Sequence, residues 1–450
     1  MMSPRIILSA SAWLFAACAP ETQSFVDGAI HTDATRIDST THDGTGGDSA
    51  YTSTCTGHSS TLSGHTYAPN GTDPIPGVLV YVVPDSQTLP PAAMTVQCQT
   101  CANPPAAIAG TQSGPDGAFS ISNAALDVGG TFTVVFESGG FRHVERHVQI
   151  GMCAPLDMTS MQTRLPGTNA GDDTIPRIAV AGFRSGGTHS GDVNDKFVKV
   201  LDAIGITGFD TVDPDKSGSN SGSGPDLIGL LSNMSQLSQY QIVITPCGSL
   251  GNFAVATHLT PTMIANLRAW LALGGRLYSS DLAYSVVDQS APGAITFANG
   301  MPTRGDPADI GVGIDAGTSI PGSVDDATLR SWLQNVSVLA PGATTIPITD
   351  LRDPWGAMDS IPEAELTGTS GPTGTVLVSG DVSWHNGTSG HHPLTAMVDV
   401  AGATGNCGRV VFTSYHVVST TTGTGTALTP QERVLEYLFF RLSTCIAVPG

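Results

Sequence analysis

The 450-residue chain contains very little lysine. Lys196, Lys199 and Lys216 are the only three, and charged residues of all kinds make up 12% of the chain. Because 18 basic side chains face 38 acidic ones, the formal net charge is −20. Such a negative surface repels nucleic-acid phosphates and anionic membranes, so we expect no nucleic-acid partner.

Long apolar runs are also missing after residue 17, which excludes a membrane-spanning helix in that part of the sequence. The scarcity of charged residues and the abundance of Gly, Ser, Thr and Pro exclude a coiled coil. Apolar residues nevertheless make up 40% of the chain, which is enough for the cores of two or three domains.

Residues 1–17 have the pattern of an export signal peptide. Arg5 precedes a mostly apolar run over residues 6–15 that is too short to span a bilayer. The sequence Phe-Ala-Ala-Cys that ends at Cys18 resembles the bacterial lipobox. This resemblance implies cleavage before Cys18, acylation of that cysteine and, because Ala19 follows instead of Asp, an outer-membrane location. The alternative is an ordinary secretory signal that happens to contain a cysteine.

Residues 18–54 are rich in Thr, Asp, Ser and Gly and show no periodicity. This composition predicts a flexible acidic tether between the lipid anchor and the first folded domain.

Residues 55–165 predict an all-β sandwich. Short apolar or alternating runs, such as residues 78–83 and 131–136, are separated by turn sequences. Residues 63–67 (SGHTY), 73–78 (DPIPGV) and 113–121 (SGPDGAFSI) resemble the carboxypeptidase regulatory-like domain, a transthyretin-type sandwich. The resemblance implies a non-catalytic accessory or adhesion module.

Four cysteines, Cys55, Cys98, Cys101 and Cys153, lie in or around this domain, and they allow three pairings. In an exported protein we expect two disulfides: Cys55 with Cys153, which bracket the domain, and Cys98 with Cys101. A zinc site is the alternative, because Cys55 with His58 and Cys98 with Cys101 have ligand-like spacing.

Residues 175–450 alternate strand and helix patterns, which predicts a parallel sheet covered by helices. A Gly/Pro-rich stretch from about 288 to 370, with one helix over 325–333, is interpreted as an insertion. The other predicted strands are 177–181, 241–245, 276–280, 375–379 and 409–414, and the other predicted helices are 192–203, 226–234, 260–273 and one that begins at Thr429.

Residues 240–244 (YQIVI), 273–281 (LGGRLYSSD) and 408–416 (GRVVFTSYH) resemble the class I glutamine amidotransferase-like superfamily. The resemblance implies a flavodoxin-like α/β fold. Catalytic members carry Gly-x-Cys-x-Gly and a later His-x-Glu, whereas residues 245–249 read Thr-Pro-Cys-Gly-Ser here and no His-x-Glu follows Cys247. The domain therefore looks like a degenerate member. With the preceding domain, the chain is similar to exported proteins of the myxobacterial type.

Ligands of open parallel sheets bind beyond the carboxyl ends of the strands. Cys247, Asp281 and His416 each follow a predicted strand, so they could form a nucleophile, an orienting acid and a base. Each also has a structural explanation, which we favour in the absence of an elbow glycine. Cys407 and Cys445 are expected at the opposite edge, in a disulfide that leaves Cys247 without a disulfide partner.

Two further groups could bind metals. Residues 213–218 resemble the start of a calcium loop, but Gly224 stands where the loop needs its Glu. His385, His391 and His392 with Asp381 could gather a transition metal, although their Gly/Ser surroundings indicate an exposed loop. We interpret both as loops and predict no metal or other cofactor.

The sequence thus favours a non-catalytic outer-membrane lipoprotein, held to the membrane through Cys18 and binding a protein or glycan. A hydrolase that uses Cys247 and His416 and a metal-binding surface protein are the alternatives.

Overall fold

A computed structural model describes residues 55–56, 59–92, 95–99, 107–181, 197–213, 226–247, 249, 259–297, 319–349, 351, 356–362, 373–383, 389–402, 405–415, 427–444 and 446. The predicted signal peptide, the tether and the lipidation site Cys18 lie outside the described residues. So do the predicted site residues Cys101, His416 and Cys445, and His385 of the metal candidate.

Two small sheets form between residues 61 and 157, with orders β4-β1-β7 and β3-β2-β5-β6. Leu62 and Phe119 from the first sheet share one core with Val80, Val134 and Phe136 from the second. The elements are β1 (Thr61–His65), β2 (Leu79–Pro84), β3 (Ala109–Gln112), β4 (Ala118–Ser122), β5 (Gly130–Ser138), β6 (Phe141–Ile150), β7 (Pro155–Asp157) and helix α1 (Ser160–Thr163).

A disulfide joins Cys55 and Cys153, with Cα atoms 5.5 Å apart. This is the expected pairing that brackets the first sheets. Nearby, the Ser60 backbone N–H donates to Asp127 Oδ1 at 2.6 Å, which fixes the entry to β1.

The remaining strands form a nine-stranded sheet with the order β14-β13-β16-β17-β18-β11-β10-β8-β9, and β12 pairs separately with β15. The strands are β8 (Ile178–Ala181), β9 (Asp210–Val212), β10 (Ile242–Thr245), β11 (Arg276–Ser280), β12 (Thr296–Phe297), β13 (Ile320–Val324), β14 (Thr345–Ile348), β15 (Met358–Ser360), β16 (Thr373–Ser383), β17 (Ser389–Gly402) and β18 (Gly405–Thr413).

The large sheet is mixed, so the prediction of a parallel sheet is correct for only part of it. Strands β9, β8, β10, β11 and β18 are parallel neighbours. The others pair antiparallel, beginning with β17 against β18. Antiparallel strands can follow each other through a short turn, without a crossover helix. The histidine-containing segment predicted as a loop is β17, and the segment predicted as an insertion supplies β13 and β14.

Most of the predicted helices are present, and their capping signals form as expected. Thr260 Oγ1 accepts from the Met263 N–H at the start of the helix Pro261–Ala272, and Thr429 and Glu432 form a capping box at the start of the helix Pro430–Ser443. The predicted helix 226–234 is two short helices, because Asn233 ends one and caps the next. The helices are α2 (Phe197–Ala203), α3 (Leu227–Ser232), α4 (Met234–Leu237), α5 (Pro261–Ala272), α6 (Tyr284–Ser290), α7 (Ala327–Asn335) and α8 (Pro430–Ser443).

The core continues from the small sheets into the large one. Phe141 of β6 packs against Phe439 and Phe440 of α8, with ring centroids 5.9 and 5.8 Å apart. The Trp332 indole N–H of α7 donates to the Pro74 carbonyl at 2.6 Å. The small sheets and the large sheet are therefore packed together and not separated by an open linker. Within the described part of the chain, no helix is both long and apolar enough to cross a bilayer.

Residues 95–99, here called the strap, leave the loop between β2 and β3 and pack on the amino-terminal edge of the large sheet. The buried Val96 belongs to the core cluster of Trp270, and its N–H donates to the Ser238 carbonyl at 2.9 Å. The backbone N–H of Ile446 donates to the Gln99 carbonyl at 3.0 Å. The strap therefore contacts residues from both ends of the second half of the chain.

The strap ends in a disulfide between Cys98 and Cys407 of β18, which are 309 residues apart in sequence. The expected pairing of Cys98 with Cys101 is therefore wrong, and so is that of Cys407 with Cys445. The physical reason is that the strap places Cys98 beside the first residues of β18. Sequence spacing alone could not indicate that contact.

Candidate functional site

The register of the large sheet brings Cys247 and Asp281 together at its carboxyl-terminal edge. Strands β10 and β11 run parallel, with Thr245 opposite Ser279. Cys247 lies two residues beyond Thr245, and Asp281 lies two residues beyond Ser279. Two of the three predicted site residues therefore meet where the sequence placed them.

The Cys247 thiol donates to Asp281 Oδ2 over an Sγ–O distance of 3.0 Å. The Cys247 backbone N–H donates to Ser280 Oγ at 2.9 Å, and Asp281 Oδ1 accepts from the Gly356 N–H at 2.6 Å. Both side chains are buried, with exposures of 0% for Cys247 and 1% for Asp281. Cys247 is outside both disulfides, as expected.

A sharp backbone turn places the Asp281 carboxylate at this point. Asp281 has φ +46°, in the left-handed region that few residues other than glycine adopt. It connects β11 to a short 3₁₀ turn that leads into α6. Gly356 closes over the turn, since a Cβ at that position would collide with the Asp281 carbonyl. Non-glycine residues in this conformation cost free energy and often occur at functional sites.

Hydroxyl groups line the same edge of the sheet. Thr245 Oγ1 and Ser279 Oγ are 2.5 Å apart, and the Tyr278 hydroxyl lies 2.9 Å from Thr413 Oγ1. Tyr415, in the segment that also contains His416, is buried with its hydroxyl 2.6 Å from Thr395 Oγ1. These paired hydroxyls hold the strand ends together.

The chemistry of the Cys247 contact differs from that of an activated cysteine. A nucleophilic cysteine reacts as a thiolate, which a neighbouring cation or imidazole stabilises. The described acceptor of the thiol, Asp281, is a carboxylate, and two negative charges side by side in a buried site repel each other. The contact therefore favours a neutral thiol that donates to Asp281. His416, the predicted base, lies outside the described residues.

Among the described residues of the transition-metal candidate, His391 and His392 do not converge on one site. His391 and His392 are consecutive residues of β17, so their side chains point to opposite faces of the sheet. His391 Nδ1 lies 2.8 Å from Asp381 Oδ1, whereas His392 Nδ1 lies 3.6 Å from Asp359 Oδ1. Of the calcium-loop candidate, Asp213 is described and residues 214–224 are not.

Two further features have no signal in the sequence. The first lies at the amino-terminal edge of the sheet, where buried arginines hold the end of α8. Arg276 donates to the Cys407 carbonyl at 2.6 Å, and Arg409 donates to Thr444 Oγ1 at 2.8 Å and to Asp399. Burial, and secondarily the neighbouring Arg409, lowers the pKa of Arg276 to about 9. The carbonyls and Asp399 satisfy the guanidinium groups, so this edge is structural.

The other feature is the contact of Ser379 with His391. Ser379 Oγ lies 2.7 Å from His391 Nε2, on the opposite side of the ring from Asp381. Only the pairing of β16 with β17 reveals this contact. In the sequence alone, a serine or aspartate followed at a distance by a histidine does not indicate that the side chains are in contact.

Comparison with known proteins adds little to this description. No protein-family model and no curated protein matches the chain. One solved structure, PurLQS from Thermotoga maritima, aligns with 59% of this chain and 99% of its own at 14% identity, with a TM-score of 0.28. A TM-score this low carries no conclusion about this chain.

Proposed function

We propose that the chain is an exported lipoprotein, acylated at Cys18 and held at the outer membrane, where it binds a protein or glycan or has a structural role. The disulfide between Cys98 and Cys407 is the observation that carries the proposal. Disulfides that hold a fold together persist in oxidising compartments and are rare in the cytosol. A second disulfide, between Cys55 and Cys153, fits the same compartment.

For the fold, we propose a β-sandwich of the carboxypeptidase regulatory-like type followed by a flavodoxin-like α/β domain. The shared core of the two small sheets supports the first part. The order β9-β8-β10-β11-β18 supports the second, because it is the 2-1-3-4-5 order of flavodoxin-like sheets when strands are counted along the chain.

The Cys247 contact supports a structural role for the thiol and not a hydrolase that uses Cys247 and His416. The thiol donates to a buried carboxylate, and Thr245 and Ser249 stand at the two positions where the catalytic pattern Gly-x-Cys-x-Gly has glycine. We therefore assign Cys247 and Asp281 to the stability of the strand ends.

The proposal is tested by expressing the full chain in a Gram-negative host that is fed an alkyne fatty acid. We expect label on the wild type and its recovery in the outer-membrane fraction. Cys18→Ala should lose the label, whereas the control Cys247→Ala should keep it. A wild-type chain without label and in the cytosol would contradict the proposal.

A further inference from the structure

The hairpin of β16 and β17 aligns a serine, a histidine and an aspartate on one side of the large sheet. Asp381 and His391 are directly opposite each other in the ladder, and Ser379 lies two residues before Asp381. Residues two apart in a strand share a face. The imidazole of His391 therefore lies between the Ser379 hydroxyl, 2.7 Å from Nε2, and the Asp381 carboxylate, 2.8 Å from Nδ1.

The order of these groups fixes the direction of each hydrogen bond. An ionised carboxylate can only accept, so Nδ1 carries the proton of the neutral ring and donates it to Asp381. Nε2 then carries the lone pair and accepts from the Ser379 hydroxyl. This is the tautomer in which a histidine removes a proton from a serine nucleophile.

The contact contributes little to the stability of the hairpin. The side chains of His391 and Asp381 are 59% and 89% exposed, and such exposed pairs add little to stability. The backbone ladder already pairs β16 with β17 from Thr373 to Ser383. Ser379, in contrast, is 5% exposed, so its hydroxyl is fixed next to a base that remains in contact with solvent.

We propose that Ser379 and His391 are the catalytic residues of an acyl-transfer site that hydrolyses uncharged or cationic esters, with Asp381 as a positioning residue. The Asp381 carboxylate in the site and the net charge of −20 disfavour anionic substrates. The site is separate from Cys247 and goes beyond the proposed function.

The reaction is balanced without a cofactor. Ser379 Oγ bonds to the ester carbonyl carbon while its proton moves to His391 Nε2. The carbon–oxygen bond to the alcohol then breaks, and the alcohol leaves with that proton. Water attacks the acyl-serine, His391 again takes and returns a proton, and a carboxylic acid leaves from the regenerated Ser379.

A fluorophosphonate probe tests the site without knowledge of the natural ester, because it phosphonylates activated serines. We expect peptide mass spectrometry of the labelled full chain to find the adduct on Ser379. Ser379→Ala should abolish it, and His391→Gln should slow labelling about 100-fold or more, the usual contribution of a general base. Ser323→Ala is the matched control, since Ser323 pairs with Ser379 in the ladder but donates to Asp325.

The positioning role of Asp381 is tested by the rate at which the probe labels Ser379, which a purely structural role of Asp381 would not change. Because its carboxylate is exposed and screened, we expect Asp381→Asn to slow labelling only about 10-fold. Asp381→Glu should restore part of the rate, and neither variant should change the melting temperature.

A folded wild type in which Ser379 is unlabelled, or is labelled no faster than Ser323, would overturn the inference. Such a failure is distinguishable from failure of the lipoprotein proposal, which the fatty-acid label on Cys18 tests separately.

Discussion

A group of ionisable side chains with little solvent exposure links the first half of the chain to helix α8 in the second half. Arg433 of α8 lies 2.7 Å from Glu436 Oε2 and 2.9 Å from Asp73 Oδ2, which precedes β2. Glu436 is fully buried. Burial, and secondarily the charge of Asp73, raises the pKa of Glu436 to about 8, although Arg433 opposes this shift. One cation thus faces two carboxyl groups.

The raised pKa predicts how stability depends on pH. Between about pH 5 and 8 folded Glu436 holds a proton that the unfolded chain releases, so this group lowers the free energy of unfolding as pH rises, by at most about 1.4 kcal/mol per unit. Glu436→Gln removes this slope, and the variant should gain stability over the wild type towards pH 8. Urea titrations across this range check the prediction, and parallel pH dependences for the two proteins would contradict it.

The Cys247 thiol gives a second prediction at this scale. Because the thiol is buried and donates to Asp281, iodoacetamide should label it at least about 100-fold more slowly in the folded protein than in denaturant. Cys247→Ala identifies the labelled residue. Rapid labelling of the folded wild type at pH 7 would instead favour the hydrolase alternative.

Among the elements, the strap depends on one glycine. Gly274, directly after α5, has φ +110°, and a Cβ there would collide with the Gln97 carbonyl. Gly342 also has positive φ, at +82°, but a Cβ there meets nothing within 4 Å. Alanine at either glycine destabilises the backbone conformation, but only alanine at Gly274 also displaces the strap. Comparison of the two variants therefore separates these two contributions to the free energy of unfolding.

We expect Gly274→Ala to lower the free energy of unfolding by about 1–3 kcal/mol more than Gly342→Ala, since only the former forces backbone atoms apart. Dithiothreitol should also reduce the Cys98–Cys407 disulfide faster in Gly274→Ala. Urea denaturation and timed alkylation measure these effects. Equal losses in the two variants would show that the strap does not press on Gly274.

Sequence signals within a few residues, such as helix caps and apolar runs, were sufficient to predict helices and strands but not which strands pair with each other. The Thr260 and Thr429 caps and the apolar run of β10 indicate their structures directly, because their causes lie within a few residues. The sequence of β17 contains Gly390 and Pro393 beside its histidines, which is a composition typical of a loop. The segment is nevertheless a strand, because it pairs with β16. The same pairing creates the contact between Ser379 and His391.

The position of the candidate site could be predicted, because the carboxyl ends of neighbouring parallel strands lie at the same edge of a sheet. Cys247 and Asp281 follow two adjacent parallel strands, and their contact needs no further information. The disulfides were predicted only in part. The strap crosses to β18 through tertiary packing of Val96, and no spacing between cysteines encodes that path.

At the scale of the whole molecule, the proposed export rests on the oxidation of Cys98 and Cys407 to a disulfide. The Cys98–Cys407 bond closes a loop of about three hundred residues, and in the chain-entropy model loop closure of that size restricts the unfolded chain by roughly 6 kcal/mol. Such a bond supports the proposal that the chain folds in an oxidising compartment. The acidic, lysine-poor surface is consistent with anchoring by acyl chains and not by charge.

The most direct test of the proposed export is peptide mapping of the full chain, isolated from a Gram-negative expression host and alkylated without reduction. We predict a linked peptide pair that contains Cys98 and Cys407, together with a mature terminus at an acylated Cys18. Recovery of Cys98 and Cys407 as separate alkylated peptides, from a chain that still carries residues 1–17, would contradict it.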